Sequence, residues 1–218
     1  MSYEIKQISP LEKIKSNEKA LVDEIYKVKA LKGERVSYQI ALLSDERMIA
    51  DISVSSPFGE GVKLYREREV FVDMPITEPE AADDEDYLTK EQTFLPDVLV
   101  PLENENNKAI FSSKNAILWV RVDVPGDMPC GVHKVAINFE IRKLSNKIVE
   151  SVMETKEFEI EVVSTKMPQQ KLIYTRWFYA DCIATAHNVE IYSEEHWALI
   201  EKYIAAAVDS GVNMILTP

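Results

Sequence analysis

Between residues 177 and 188 the sequence WFYADCIATAHN sets two aromatic rings, Trp177 and Tyr179, near a carboxylate, an imidazole and an amide, Asp181, His187 and Asn188. Aromatic rings cover the apolar face of a sugar, and polar groups of these kinds take its hydroxyls, so the set suits a carbohydrate. Each residue also has a plainer use. Rings such as Trp177 and Tyr179 are more often part of a core, and Asp181 serves equally well as a cap or turn. Trp177, Tyr179, Asp181 and His187 are the candidate substrate-binding residues; none of them is assigned a catalytic or metal-binding role.

Other chemistry finds less support. Cys182 and His187 are a thiol and a base, but nucleophile and base meet in space rather than in sequence. Asp181 and His187 are too few for a closed zinc site, and His133 and His196 fall in other elements. Adjacent acid pairs, the tools of glycoside chemistry, occur at Asp23-Glu24, Asp45-Glu46 and Asp84-Glu85. All three lie in the first part of the chain, away from the candidate site, where hydrated turns explain them. Asp83, Asp84 and Asp86 in the acidic run of residues 77–91 could bind calcium, yet the run lacks the glycine and terminal glutamate of an EF-hand loop. A solvated loop is the simpler expectation. No phosphate loop, dinucleotide fingerprint or G-x-S-x-G elbow is present, so no cofactor is expected.

The elements that must position the candidate residues are a strand, a helix and a strand. LIYTRWFY, residues 172–179, is an apolar run of strand length. A loop over 180–192 follows. Ser193 then stands where a helix N-cap belongs, with Glu194 and Glu195 in the first turn. Trp197, Ile200, Ile204 and Val208 share one stripe, Gly211 caps the end, and Val212–Leu216 reads as a second strand. Two largely apolar strands around a helix make a βαβ unit of a parallel sheet, where ligands gather beyond the strands' C-terminal ends. Such a unit leaves a sheet edge and an apolar face bare. The expectation is therefore that the sequence is the front of a longer protein, and that homo-oligomers form through the exposed α/β segment.

Residues 1–165 follow a different rule. Val36, Tyr38, Ile40 and Leu42 alternate with polar or small residues. So do Ala50, Ile52 and Val54; Leu118, Val120, Val122 and Val124; Val135, Ile137, Phe139 and Ile141; and Phe158, Ile160 and Val162. Period two with one wet face predicts an antiparallel β-sandwich, with Trp119 on the outer side as its candidate exposed aromatic. The alternation fades between residues 73 and 115. Residues 166–171 read as a linker and 172–218 as the α/β domain, so the fold class is mainly β.

The formal charge of −12 argues against nucleic acid and anionic membranes as partners. No run of apolar residues is long enough for a membrane span. The amino terminus lacks the pattern of a signal peptide, and two cysteines without metal-type spacing fit a reduced, cytoplasmic protein.

Four stretches together carry a resemblance: LKGERVSYQIALLS; YL followed by FLPDVLVPL; LWVRVDVPGDMPCGVHKVAINFEI; and WFYADCIA with HW, YI and GVNMILTP. They are similar to the N-terminal part of glycoside hydrolase family 123. The resemblance implies a β-sandwich followed by a (β/α)₈ barrel, of which residues 172–218 would be the first βαβ unit. It also implies a β-N-acetylgalactosaminidase type of activity, retaining and substrate-assisted. There the sugar's own acetamido group attacks, supported by an adjacent Asp-Glu pair in the barrel. No Asp-Glu of this chain stands in a matching position, so the chain by itself is expected to be inactive. The alternative is a non-catalytic carbohydrate-binding or structural sandwich.

Overall fold

The computed structural model describes residues 3–17, 23–76, 87, 89–145 and 150–217. Asp83, Asp84, Glu85 and Asp86 lie outside the described residues, and with them the calcium expectation. Two compact units are present, Met1–Met167 and Pro168–Pro218.

The first unit contains β1 (Tyr3–Ile8), β2 (Lys27–Lys32), β3 (Arg35–Ser44), β4 (Met48–Ser55) and β5 (Val62–Val72). It continues with β6 (Thr93–Pro101), β7 (Lys108–Phe111), β8 (Ala116–Asp123), β9 (Gly131–Lys143) and β10 (Val152–Lys166). These make two five-stranded sheets, ordered β1-β3-β8-β5-β6 and β2-β10-β9-β4-β7. The alternating apolar residues are the core between them. Tyr38, Ile40, Leu42, Leu118, Val120, Ile137, Phe139 and Ile160 are all fully buried. The Tyr38 ring of the first sheet stacks on Phe158 of the second at 4.0 Å and 6°. Val54 departs from the rule and is exposed. β7 borders only Met48–Asp51 of β4, which leaves the end of that strand uncovered.

Three features differ from the expectation. β2 pairs with β10 in parallel, Glu159 opposite Lys27, so the sandwich is not wholly antiparallel. The stretch without alternation contains β6 and β7. Edge position, Pro96, Pro101 and a register shift opposite Arg68–Glu69 hide β6 from a period-two reading. Finally, Ala41 and Ile117, paired across β3 and β8 with their side chains away from the core, are buried nonetheless. They cluster with Ile8 and Ile14 beneath the segment that follows β1. The Gln39 amide holds that segment by donating to the Ser9 and Glu12 carbonyls at 2.9 Å. Ser16 donates to both oxygens of Glu69.

The second unit is β11 (Thr175–Trp177), α1 (Ala180–His187), α2 (Glu194–Asp209) and β12 (Met214–Leu216), with β11 and β12 parallel. Ser193 caps α2, its Oγ accepting from the His196 amide at 3.2 Å. Gly211 takes the left-handed φ of 89° just past the helix end. Both strands are shorter than the apolar runs suggest. The Asn213 side chain explains part of this. Its Oδ1 accepts from the Tyr174 amide at 2.8 Å and its Nδ2 donates to the Leu172 carbonyl at 3.0 Å, replacing ladder bonds with side-chain ones. The expected loop over 180–192 is largely the helix α1. Tyr179 offers no capping side chain at its start, so the usual signal is missing. Asn188 ends it at φ 53°, its amide bonded to the Ala184 and Thr185 carbonyls. Among the described residues, no helix is long and apolar enough to cross a membrane.

Candidate functional site

A cleft of about 900 Å³ opens in the α/β unit, with Tyr179, Asp181, Tyr192, Trp197, Ile200 and Ile215 among its lining residues. Its size is that of a small-molecule site, and its mixture of rings, aliphatic floor and a carboxylate is the usual lining of one. Two clefts of the sandwich are smaller, about 670 and 430 Å³. The first of these is walled by strand edges and exposed charges such as Glu60 and Lys63. The α/β cleft is the better candidate, because several exposed rings converge there.

The structure separates the four candidate residues. Tyr179 is the residue before α1, and Asp181 lies in its first turn, where the free amides of the helix start favour a carboxylate. Both line the cleft. Trp177 ends β11 with its ring nearly parallel to that of Tyr179, centroids 6.2 Å apart and planes at 13°. Ile215 of β12 faces the cleft. The pleat therefore turns Leu216, and Trp177 paired with it, to the opposite face of the small sheet. Trp177 is 64% exposed there. His187 closes the far end of α1, about 9 Å along the axis from Asp181. Its Nε2 lies 3.0 Å from the Tyr203 hydroxyl of α2, and the two rings meet edge to face. Cys182 is exposed on the same helix, and a separation of five residues turns its side chain about 140° away from His187.

His196 has a place that the sequence did not reveal. It is the third residue of α2 and fully buried. Its Nδ1 accepts from the Tyr192 amide at 2.8 Å, and its Nε2 lies 2.8 Å from the Ala180 carbonyl oxygen. One acceptor and one donor are required, which selects the neutral ring protonated at Nε2. Tyr192 itself is left-handed at φ 61°. Its ring stacks against Trp197 at 5.7 Å and lies 5.8 Å from the His196 ring. The spacing from Ser193 marked His196 as a first-turn residue, and nothing in the sequence pointed to its partners. Among the described residues, no group of His, Cys, Asp or Glu could hold a metal ion.

On the sandwich, Trp119 is only half-buried. Tyr26, Phe71 and Phe94 are more exposed, and the last two are a cross-strand pair on β5 and β6 with ring centroids 5.2 Å apart.

Residues 177–218, which include the walls of the cleft, match the model of the glycoside hydrolase 123 catalytic domain. Among solved structures, a family 123 glycoside hydrolase from Clostridium perfringens, described for glycolipid glycan hydrolysis, superposes with a TM-score of 0.72. It is 12% identical, and the match covers 99% of this chain and 37% of that one. AggA, the major subunit of an Escherichia coli adherence fimbria, reaches only 0.35 at 9% identity over 74% of this chain and 95% of its own, too slight to bear on the fold. No curated protein matches the chain. The chain therefore resembles, in fold over nearly its whole length and in sequence over residues 177–218, a family 123 glycoside hydrolase of whose length it spans about a third.

Proposed function

We propose that the chain is the N-terminal part of a glycosidase acting on 2-acetamido sugars, of the β-N-acetylgalactosaminidase type with a retaining, substrate-assisted mechanism. In this reading the sandwich supports a (β/α)₈ barrel, and β11, α1, α2 and β12 are its opening strand, helices and strand. The observation that carries the reading is the match of the glycoside hydrolase 123 catalytic-domain model to the segment that builds the cleft.

The chain supplies one wall of the sugar site. Tyr179 and Trp197 offer rings and Asp181 accepts from hydroxyls, at the C-terminal end of β11, where the substrates of parallel barrels bind. Trp177, on the other face of the sheet, lies outside this wall. His187 is occupied with Tyr203 and contributes the least. The Asp-Glu pair belongs to another part of the barrel, so the chain alone binds weakly and does not hydrolyse. The experiment is a pair of measurements on the chain. N-acetylgalactosamine is expected to shift the amide resonances of Tyr179, Asp181 and Tyr192, and aryl 2-acetamido-β-galactosides are expected to remain uncleaved. Hydrolysis would refute the inactivity, and absence of any shift would refute the wall.

A second reading, a sandwich that binds carbohydrate without catalysis, is favoured by one observation, the exposed Phe71–Phe94 pair. It replaces Trp119 as the platform that reading needs. Shifts confined to Phe94 and its neighbours, abolished by Phe94→Ala, would favour it.

A further inference from the structure

We infer that Tyr192 is a ligand-contacting residue of the cleft, its ring presented to a sugar by a strained turn. The identity of the ligand rests on the sugar reading proposed above.

The segment from Glu190 to Ser193 is a turn, closed by the Ser193 amide donating to the Glu190 carbonyl at 3.2 Å. Tyr192 is its third residue and takes φ 61°. Type II turns give that left-handed position to glycine or asparagine, because a Cβ there crowds the following carbonyl oxygen. For a bulky residue the conformation is strained and persists only where the surroundings impose it. Two ties impose it. The Tyr192 amide donates to Nδ1 of the buried His196 at 2.8 Å. Ser193 is fixed as the cap of α2, its Oγ accepting from the His196 amide and donating to the Glu190 carbonyl. These ties are made by the Tyr192 backbone and by other residues, so glycine would keep them and lose the strain. What the tyrosine alone adds is its ring.

Burial of that ring does not offset the strain. Tyr192 is 63% exposed, and it lines the cleft. Its ring stacks on Trp197 of α2, centroids 5.7 Å apart and planes at 28°, and Trp197 is exposed as well. Two neighbouring rings at so small an angle make one apolar surface, of the kind that covers the C–H face of a sugar. Tyr179 and Asp181 line the same cleft and supply a further ring and an acceptor for hydroxyls. A bulky side chain that is strained in its backbone, open to solvent and set in a cleft has the marks of a residue kept for contact, since strain of this kind collects at ligand sites. Tyr192 is therefore the ring that completes the platform begun by Trp197.

The test separates the ring from the strain by nuclear magnetic resonance of the whole chain. Tyr192→Ala removes the ring and leaves a Cβ in the left-handed region; Tyr192→Gly removes both. Amide exchange along α1 and α2 reads stability, and titration with N-acetylgalactosamine, followed at Tyr179 and Asp181, reads affinity. The Gly variant is expected to be better protected than the Ala variant by about fivefold, the measure of the strain. Both are expected to lose affinity by about tenfold or more, the measure of the ring, while Tyr192→Phe keeps it. An Ala variant that unfolds where the Gly variant stands supports the strain as the fivefold gap does. Undiminished affinity in the Gly variant, or no gap between Gly and Ala, would overturn the inference. So would a Gly variant that unfolds, or whose protection falls as far as its affinity, since the ring would then be a prop of the fold. A wild-type chain in which the sugar shifts no cleft amide would defeat the sugar reading itself. That outcome is distinct from failure of this inference, in which the wild-type chain binds and the Gly variant binds as well.

Discussion

The two units bury their apolar residues to very different degrees. In the sandwich, side chains as large as Tyr38, Phe111, Phe139 and Phe158 are fully buried between two sheets that cover each other. In the α/β unit, Trp177, Tyr179, Tyr192, Trp197, Val208 and Leu216 are all exposed, and Ile200 is among its few buried aliphatics. A sandwich closes its own core. One helical layer against two strands cannot, because among the described residues of the unit nothing covers the other face of the sheet, and α1 covers only one flank of α2. The difference teaches where each unit's stability resides and why the second is the one with surface left for ligands or for further structure.

The comparison is sharpened first by enlarging it. Phe158→Ala removes the ring beneath Tyr38 and is expected to destabilise the sandwich by about 3–5 kcal/mol, read from urea unfolding of its strands. A loss well under that range would mean that the sandwich core relaxes as easily as the open unit. Next, Asn213→Leu deletes both bonds that extend the small sheet toward Leu172, at an expected cost of about 1–3 kcal/mol confined to the α/β unit. Hydrogen exchange at Tyr174 is the measurement; a change spreading into β3 or β8 would break the separation of the two units.

Smaller effects probe the sandwich's own imperfections. The Tyr38 hydroxyl is buried with no partner among the described residues, and burial pushes its pKa up. Tyr38→Phe is expected to stabilise by about 1 kcal/mol, since an unsatisfied hydroxyl is removed and the stack on Phe158 is kept. Thermal unfolding reads the sign.

The smallest effect is the acid dependence. Burial alone would raise the carboxyls of Asp51 and Asp123. Hydrogen bonds from Arg142 and Lys108 to the first, and from Arg121 and Arg35 to the second, outweigh it and hold both below the ordinary value. A depressed folded pKa contributes stability above the unfolded pKa, and that contribution is lost as the pH falls through the folded one. Denaturant titrations from neutral pH downward should show no change from these pairs until the pH reaches the ordinary aspartate range, then a decline that continues until the folded carboxyls are protonated. Asp51→Asn should flatten part of it. Both carboxylates are about one-third exposed, so the effect is small.

How much of this was legible depended on whether the local pattern and the tertiary role agreed. Val36 to Leu42 and Leu118 to Val124 alternate because one face of each strand is core, and the structure buries all of those residues, with Gln39 and Ala41 of the other face buried as well. β6 was hidden because an edge strand interrupted by Pro96 needs no alternation, and the parallel neighbour of β10 because β2 lies far from it in sequence. At the site, Tyr179 and Asp181 line the cleft, but the sequence reads as loop where α1 stands. A loop would leave His187 beside Asp181, whereas the helix carries it away to Tyr203. Asn188 at the helix end and the buried Ile183 and Ala184 were the available signals. His196 was out of reach, because its partners are backbone atoms of two other segments.

The central claim is that the α/β unit, and not the sandwich, meets the sugar. Titrating the isotopically labelled chain with N-acetylgalactosamine and following its amide resonances tests it directly. The account predicts shifts at Tyr179, Asp181 and Tyr192 with β5 and β6 unmoved; shifts at Phe71 and Phe94 with the cleft silent would contradict it.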